Sequence, residues 1–113
     1  MEFSMLLVVI DEELETEAID VAKENGAGGV TIMKGSGIGL NEQTTFFGLV
    51  YERSESVLMF ILEKNLSKKV MKALDERLNL TEKGIIISMP IESIAGITQN
   101  QLENFEKQLQ GDA

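Results

Sequence analysis

Hydrophobic residues fall into four short runs along the chain, each of a length and composition typical of a β-strand. The first run, Phe3 to Ile10, is continuously apolar and rich in β-branched residues, which favours a strand in the middle of a sheet. The others run from Val30 to about Lys34, from Ser56 to Leu62, and from Ile85 to Met89. The last strand is expected to stop at Pro90, because proline cannot donate to a sheet ladder.

Two segments between these runs carry apolar residues at helical spacing. In the first, Asp11 is a plausible N-cap and Asn25-Gly26 a C-terminal stop. Its apolar stripe consists of Leu14, Ala18, Val21 and Ala22. The stripe of the second consists of Leu66, Val70, Ala73, Leu74 and Leu78, with Lys68, Lys69 and Lys72 facing outward.

A third, shorter helix is predicted near the C-terminus. Thr98-x-x-Gln101 matches a capping box, and Leu102, Phe105 and Leu109 give a thin apolar stripe. Such a narrow stripe suggests a helix that docks on a surface or on a neighbouring subunit.

The predicted order is β-α-β-β-α-β followed by a C-terminal helix, the α+β arrangement called ferredoxin-like. We expect one domain over residues 1–113, with a core over about 3–96 and the last helix over about 98–110. Three polar stretches are read as irregular: a loop from Gly35 to about Asn41, a break over Glu52–Glu55, and a turn over Glu63–Asn65. Whether Thr44–Tyr51 is a separate strand or part of a long loop stays open.

Charge and composition limit the classes of partner and ligand that we expect for this protein. The formal charge of −9 disfavours nucleic acid and anionic membrane surfaces as partners, although a small anion could bind where a few bases converge. The acids Glu12, Glu13, Glu15, Glu17 and Asp20 are read as a solvated helix face rather than a cation site. Met5–Ile10 is too short to span a bilayer and lacks a signal peptide's basic region, so we expect a cytoplasmic protein without membrane insertion.

Catalysis finds no support in the residue types present. The chain contains no cysteine and no histidine, which removes thiolate chemistry, cysteine-ligated metals and the commonest general base. No serine lies in a Gly-x-Ser-x-Gly elbow, and Gly35-Ser36-Gly37 has no base partner. The sequence therefore predicts a non-enzyme with no catalytic or metal-binding residues.

The strongest candidate for ligand chemistry is the glycine-rich stretch Gly28–Gly39, in which a strand enters a Lys-Gly-Ser-Gly loop. Its backbone N–H groups could cradle a phosphate, or it could be a plain hairpin loop; a Walker-type site is excluded because no helix follows. Lys83 could serve as a second anion contact or be a solvated lysine, and Thr31 could bind a ligand or fill a strand position. The expected ligand-binding residues are Gly28, Gly29, Thr31, Lys34, Gly35, Gly37, Lys83 and Gly84.

Three motifs resemble the PII nitrogen-regulatory signal transducers and their PII-like relatives. Lys34-Gly35-Ser36-Gly37 is similar to the Lys-Gly-x-Gly that opens the family's long T-loop. Phe46-Phe47-Gly48-Leu49-Val50-Tyr51 resembles the Tyr-Arg-Gly-x-x-Tyr signature beyond that loop. Lys83-Gly84-Ile85-Ile86-Ile87 lies where the family has a Gly-Lys-Ile-Phe strand start, and the element order agrees from Phe3 to about Gly96.

The resemblance implies a homotrimer whose inter-subunit clefts bind an adenine nucleotide, ATP, ADP or AMP, as an effector. It also implies a T-loop that docks onto a target protein, a transporter or an enzyme, with nitrogen metabolism as the family's setting. The expected partner-binding residues of that loop are Ile38, Phe46, Phe47 and Tyr51, although the aromatic ones could equally pack between subunits.

Of three departures from the family pattern, one removes a site of uridylylation and two weaken the case for nucleotide binding, most of all for ATP. Phe46 has no hydroxyl to modify, and the Gly-Lys pair is reversed as Lys83-Gly84. Late in the last strand, Glu92, Ser93 and Ala95 lie near where the family has basic residues. The loop between Gly37 and Phe46 is also short. The alternative is a ligand-free trimeric adaptor on the same fold, like the copper-tolerance trimers; a small isomerase or hydrolase is the remaining option.

Overall fold

A computed structural model describes residues 1–38, 45–46, 49–50, 52–81 and 83–96. Within these ranges the chain forms six strands, two α-helices and one short 3-10 helix. The strands are β1 (Phe3–Asp11), β2 (Thr31–Ile38), β3 (Thr45–Phe46), β4 (Leu49–Val50), β5 (Glu52–Glu63) and β6 (Gly84–Ile91). The helices are the 3-10 helix Glu12–Leu14, α1 (Glu15–Glu24) and α2 (Lys64–Arg77).

Four of the strands build one antiparallel sheet in the order β2-β5-β1-β6, and β3 pairs with β4 alone. Both helices lie on the same face of that sheet. The predicted ferredoxin-like α+β fold is therefore confirmed, with Thr45–Val50 as a small hairpin between β2 and β5. No helix in the described ranges is long and apolar enough to cross a bilayer.

Alternation along the strands divides their side chains between a covered face and an open face. On the covered face, Leu6, Val8 and Ile10 of β1 lie beside Leu58, Phe60 and Leu62 of β5, all at most 2% exposed. Both predicted helix stripes pack here, through the buried residues Ala18, Val21, Ala22, Leu66, Val70, Leu74 and Leu78 and the partly buried Leu14 and Ala73. This layer is the hydrophobic core.

The open face, in contrast, is apolar and has no layer packed on it by the described elements. It consists of Met5, Leu7, Val9, Thr31, Met33, Val57, Met59, Ile61, Ile85, Ile87 and Met89. Several of these side chains are substantially exposed: Ile85 at 56%, Met33 at 44% and Ile61 at 40%. Contiguous apolar surface of this kind marks an interaction site in a soluble domain.

Two predicted boundaries are wrong at the end of the sheet where β1 reaches Asp11. Gly35–Ile38 continues β2 instead of forming a loop, and Glu52–Glu55 begins β5 instead of breaking it. These stretches lack hydrophobic alternation, but they pair with each other, from Gly35 opposite Glu55 to Ile38 opposite Glu52. Because β1 ends at Asp11, opposite Glu55, residues beyond that point form a two-stranded ribbon projecting from the sheet.

Two further boundaries differ from expectation at the opposite end. Glu63–Asn65 is no turn: β5 runs directly into α2, and the Glu63 carboxylate accepts hydrogen bonds from the backbone N–H groups of Asn65 (2.8 Å) and Leu66 (3.0 Å). A side-chain cap of this kind replaces the connecting residues. Strand β6 also passes through Pro90 to Ile91, which is possible because β6 is an edge strand and pairs only with β1.

The start and end of the first helix agree with the prediction. Asp11 Oδ1 accepts from the N–H of Glu13 (3.1 Å), although the turn that it caps is the 3-10 helix and α1 follows it. Gly26 ends the helix with φ at 108°, a left-handed conformation that glycine adopts without strain. The predicted helix over about 98–110 lies outside the described residues.

Candidate functional site

The candidate site lies at the edge of the sheet where β1 and β2 end. Both strands are antiparallel to β5, so they run parallel to each other and their carboxyl ends share one edge. Lys34 lies in the middle of β2, level with the end of β1, and β2 continues beyond it into the ribbon. The 3-10 helix follows β1 at once. The start of β6 joins them, since the backbone N–H of Asp11 donates to the carbonyl of Lys83 (2.8 Å).

Lys34 is engaged by three side chains. Its Nζ donates to Glu15 Oε1 and to Ser56 Oγ (3.1 Å), and Glu12 Oε1 lies 3.7 Å away. The hydrogen bond to Glu15 is the main cause that raises the pKa of Lys34 above its ordinary value, so the amine stays protonated. About half of the side chain remains exposed, at 52%.

Ser56 contacts both Lys34 and Glu15 from the buried side of this cluster. Its hydroxyl is fully buried and donates to Glu15 Oε1 (2.7 Å) while accepting from Lys34. The hydrogen bonds from Lys34 and then Ser56 hold the pKa of Glu15 below its usual value. A serine beside a lysine and a carboxylate resembles a nucleophile, but this serine is inaccessible and its neighbouring lysine holds its proton. The trio therefore cannot act as a nucleophile and its base.

Lys83, just before β6, is bound by the same turn after β1 that binds Lys34. Its Nζ donates to Glu13 Oε1 (2.7 Å), and this bond is the main cause that raises the pKa of Lys83. Asp11 raises that pKa further and Arg53 lowers it, so both charges lie near the lysine. The two lysines predicted from the sequence are thus brought together around the residues 11–15, each already paired with a carboxylate.

The glycines at 35 and 37 do not form a cradle. Both lie in the extended backbone of β2, opposite Glu55 and Arg53, and positive φ among the described residues occurs at glycines 26 and 96 only. A nest of N–H groups needs such left-handed backbone, which these two glycines do not have; that they bind a ligand stays a prediction. Gly37 has a different role: an added Cβ would lie 2.5 Å from Glu55 Oε1.

The other predicted ligand-binding residues are spread along β2 and β6. Gly28 and Gly29 are exposed just before β2, and Thr31 begins that strand on the open face. Gly84 opens β6, where an added Cβ would lie 2.6 Å from Ile10 Cγ2 and 2.8 Å from the carbonyl oxygen of Val9. Its glycine is therefore required for close packing on β1, whether or not a ligand binds.

The predicted partner-binding residues lie on or beyond the ribbon. Ile38 is the last residue of β2 and is 50% exposed. Phe46 lies in β3, and Phe47 and Tyr51 lie outside the described residues.

Sequence reasoning missed the acidic partners of the two lysines. Glu13 and Glu15 were expected to be solvated, yet each binds a lysine of the site. One signal could have found them: the β-α-β order brings the ends of the first two strands to one edge, where acids at 12–15 meet Lys34. Among the described residues, no three acids come close enough together to hold a metal ion.

Comparison with known proteins finds similarity only at the level of structure. No family model matches the chain, and no curated protein matches it. A PII-like signalling protein from Thermus thermophilus superposes with a TM-score of 0.61 at 20% identity, over 80% of this chain and 87% of that chain. CPII from Thiomonas intermedia, bound to ADP and bicarbonate, gives 0.61 at 14% identity, over 80% and 87%.

The CutA1 protein of Oryza sativa superposes over more of the molecule. Its TM-score is 0.66 at 15% identity, over 96% of this chain and 94% of that chain. The resemblance read from the sequence is thus confirmed at the level of fold: this chain has the architecture shared by PII-like signalling proteins and CutA proteins.

Proposed function

We propose that this protein is a PII-like, non-enzymatic regulator. It forms a homotrimer, senses an adenine nucleotide between its subunits, and controls a target protein through the segment between β2 and β5. The observation that carries the proposal is the β2–β5 ribbon, which projects beyond β1 with Lys34 at its base and Lys83 across the end of β1. Two cations beside a projecting hairpin are suited to couple an anion to the position of that hairpin.

The open sheet face supports self-association. It is apolar along all four strands, and burying apolar surface contributes about 25 cal/mol per Å². A closed ring of subunits would cover this face on each copy and leave a cleft between neighbours at the ends of the strands.

Ligand binding at this site requires an exchange of ion-pair partners. A phosphate that approaches Lys34 or Lys83 must replace Glu15 or Glu13, whose carboxylates occupy the Nζ groups. Since these pairs are exposed, solvent screens them and each contributes little, which a charge-assisted bond to a phosphate can exceed. The freed carboxylates, Glu13 on the 3-10 helix and Glu15 at the start of α1, would then alter the contacts at the base of the ribbon. Unequal binding to the two states would shift the hairpin.

The test is calorimetric titration on protein whose mass is fixed by light scattering. The panel contains ATP, ADP, AMP and cyclic adenine dinucleotides, each with and without magnesium. Saturable binding of one nucleotide per subunit of a trimer is the expected result. Lys83→Ala should weaken that binding about tenfold or more, as for loss of a charged hydrogen bond, and Lys23→Ala on α1 serves as the control.

Replacing the carboxylate that competes with the nucleotide for Lys83 should change the affinity in the opposite direction. Glu13→Gln removes the charge that neutralises Lys83 and should tighten nucleotide binding. If neither Lys83→Ala nor Glu13→Gln changes the affinity, the nucleotide binds elsewhere and the site described above is wrong.

A second function, the ligand-free adaptor, is favoured by one specific observation. Both lysines are already neutralised by carboxylates, so the site presents no unpaired lysine among the residues that the structure describes. The longer superposition on CutA1 agrees with this reading. A homogeneous trimer that binds none of the nucleotides would favour the ligand-free adaptor over the nucleotide sensor.

A further inference from the structure

The candidate site contains more negative than positive charge. Its bases are Lys34, Lys83 and Arg53, whose charge acts on Lys83. The end of β1, the turn after it and the facing part of β5 bring five acids to the same place: Asp11, Glu12, Glu13, Glu15 and Glu55. We call these eight residues the charge cluster. Three bases and five acids give it a formal charge of −2.

Three of the acids lie against the two lysines. Lys34 Nζ donates to Glu15, and Glu12 Oε1 lies 3.7 Å from the same nitrogen. Lys83 Nζ donates to Glu13 Oε1 at 2.7 Å. An anion that approaches either amine therefore meets carboxylates that already surround it.

The other two acids lie toward the ribbon. Asp11 of β1 is opposite Glu55 of β5. The Glu55 carboxylate reaches along the ribbon, since a Cβ added at Gly37 would lie 2.5 Å from its Oε1, and Gly37 is the residue opposite Arg53. Opposite residues of a ribbon are close neighbours. The charge of Arg53 is thus also partly offset by a carboxylate beside it.

The number of charges on a ligand decides how strongly this cluster repels it. A phosphate monoester carries about −1.5 to −2 charges near pH 7, and each phosphate added to it brings a further ionised oxygen. One phosphate can replace a carboxylate at a lysine, as proposed above. A second or third phosphate is then added to a cluster whose net charge is already negative. A neighbouring subunit brings no excess of positive charge, because each chain has a formal charge of −9.

We propose that the effector of this site is a nucleoside monophosphate, and that the charge cluster discriminates against the diphosphate and, more strongly, against the triphosphate. The inference rests on the proposed nucleotide sensing and adds the order of preference among the nucleotides. The surplus carboxylates are then specificity-determining residues: they allow one phosphate at the lysines and oppose each further one. Specificity of this kind comes from charges placed against the wrong ligand.

The first test compares AMP, ADP and ATP by calorimetric titration without magnesium at about 0.01 M salt, where charges are screened least. AMP should bind severalfold more tightly than ADP, and ADP severalfold more tightly than ATP. The reverse order, or equal affinities, would overturn the inference and leave the nucleotide sensor standing. Saturable binding of none of the three would overturn both.

Salt and magnesium test whether charge is the cause of the order. Raising the salt to about 0.15 M shortens the screening length from about 30 Å to about 8 Å, so the preference for AMP over ATP should shrink. Magnesium binds the phosphates of a nucleotide and lowers its net charge, so it should also reduce the preference. A preference that neither condition changes has another origin and contradicts the role given to the charge cluster.

Removing single acids locates the effect. Glu12→Gln removes a charge near Lys34 but keeps both carboxylates that bind the lysines, and it should improve ATP binding severalfold more than AMP binding. Glu55→Gln should act in the same direction. Glu76→Gln removes an exposed charge of α2 as the matched control and should leave the ratio of the two affinities unchanged. If neither Glu12→Gln nor Glu55→Gln changes that ratio more than the control does, the inference is wrong.

Discussion

Ser67 is a buried side chain that works against the stability of the fold. It lies in the first turns of α2 at 1% exposure, and its hydroxyl has no hydrogen-bond partner among the residues that the structure describes. A buried polar group without a partner costs roughly 1–3 kcal/mol. The residue thus marks a place where the core can be improved.

Ser67→Ala should raise the free energy of unfolding by about 1 kcal/mol. The change removes the unpaired hydroxyl, and alanine also has the higher helix propensity. Urea unfolding followed by circular dichroism measures the effect, with Ser88→Ala at an exposed position of β6 as the control. A loss of stability in Ser67→Ala would show that the hydroxyl has a partner after all.

Glu15 makes the stability of the fold depend on pH. Its pKa is held below the ordinary value near 4.5 by Lys34 and Ser56. A carboxylate whose pKa is lowered on folding adds stability above its ordinary pKa, and this contribution disappears as the pH falls through the lowered value.

Glu15→Gln should therefore be less stable than the unaltered protein at pH 7, and the difference should shrink as the pH falls through the lowered pKa of Glu15. Urea unfolding at pH 7, 5, 4 and 3 measures it, with Glu17→Gln on the exposed side of the same helix as the control. A difference that stays constant over this range would mean that Glu15 contributes through packing rather than charge.

At the scale of elements, most strands and helices could be predicted from periodicity, and the errors share a physical cause. A run of apolar residues marks a strand in the middle of the sheet, as in Phe3–Ile10 and Ser56–Leu62. The ribbon residues pack on nothing and are held by pairing with each other, which leaves no hydrophobic signal. Pairing depends on residues far apart in the sequence, so local patterns could not reveal it.

The lysines of the candidate site could be predicted but their partners could not, for a similar reason. Lys34 and Lys83 were chosen because of their motif positions, and the structure does bring them to one edge of the sheet. Their carboxylate partners come from the turn after β1, and Ser56 comes from β5. Only the three-dimensional arrangement shows that the cations are neutralised.

Two glycines of the sheet should respond oppositely to alanine. Gly84→Ala places a Cβ 2.8 Å from the carbonyl oxygen of Val9, so β6 must shift, at a cost of roughly 1–3 kcal/mol. At Gly35 nothing lies within 4 Å and φ is not positive, so Gly35→Ala should be neutral or add about 0.4–1 kcal/mol. Thermal unfolding of both variants gives the comparison, and equal losses would contradict it.

For the whole molecule, the dominant feature is the contrast between the two faces of the sheet. One face is covered by α1 and α2, and the other exposes apolar side chains from all four strands. The interface between subunits that we propose would cover this apolar face and make the pattern stable in water.

Met59→Glu should convert the assembly to single subunits. Met59 lies in the middle of the open face, between Leu7 and Thr31, and a charge buried there without a partner opposes association. Light scattering measures the mass, circular dichroism confirms that the variant is folded, and Lys23→Glu on α1 is the control. An unchanged mass in a folded Met59→Glu variant would place the interface elsewhere.

In the proposed trimer, the open face would also tie the lifetime of the protein to the rate at which it is made. A newly synthesised copy exposes this apolar surface until it meets others, and during that time chaperones and proteases can treat it as an unfinished chain. Association becomes faster as copies accumulate, because mass action favours the covered state. Cells that make little of the protein would therefore degrade most of it, and steady abundance would rise more steeply than synthesis.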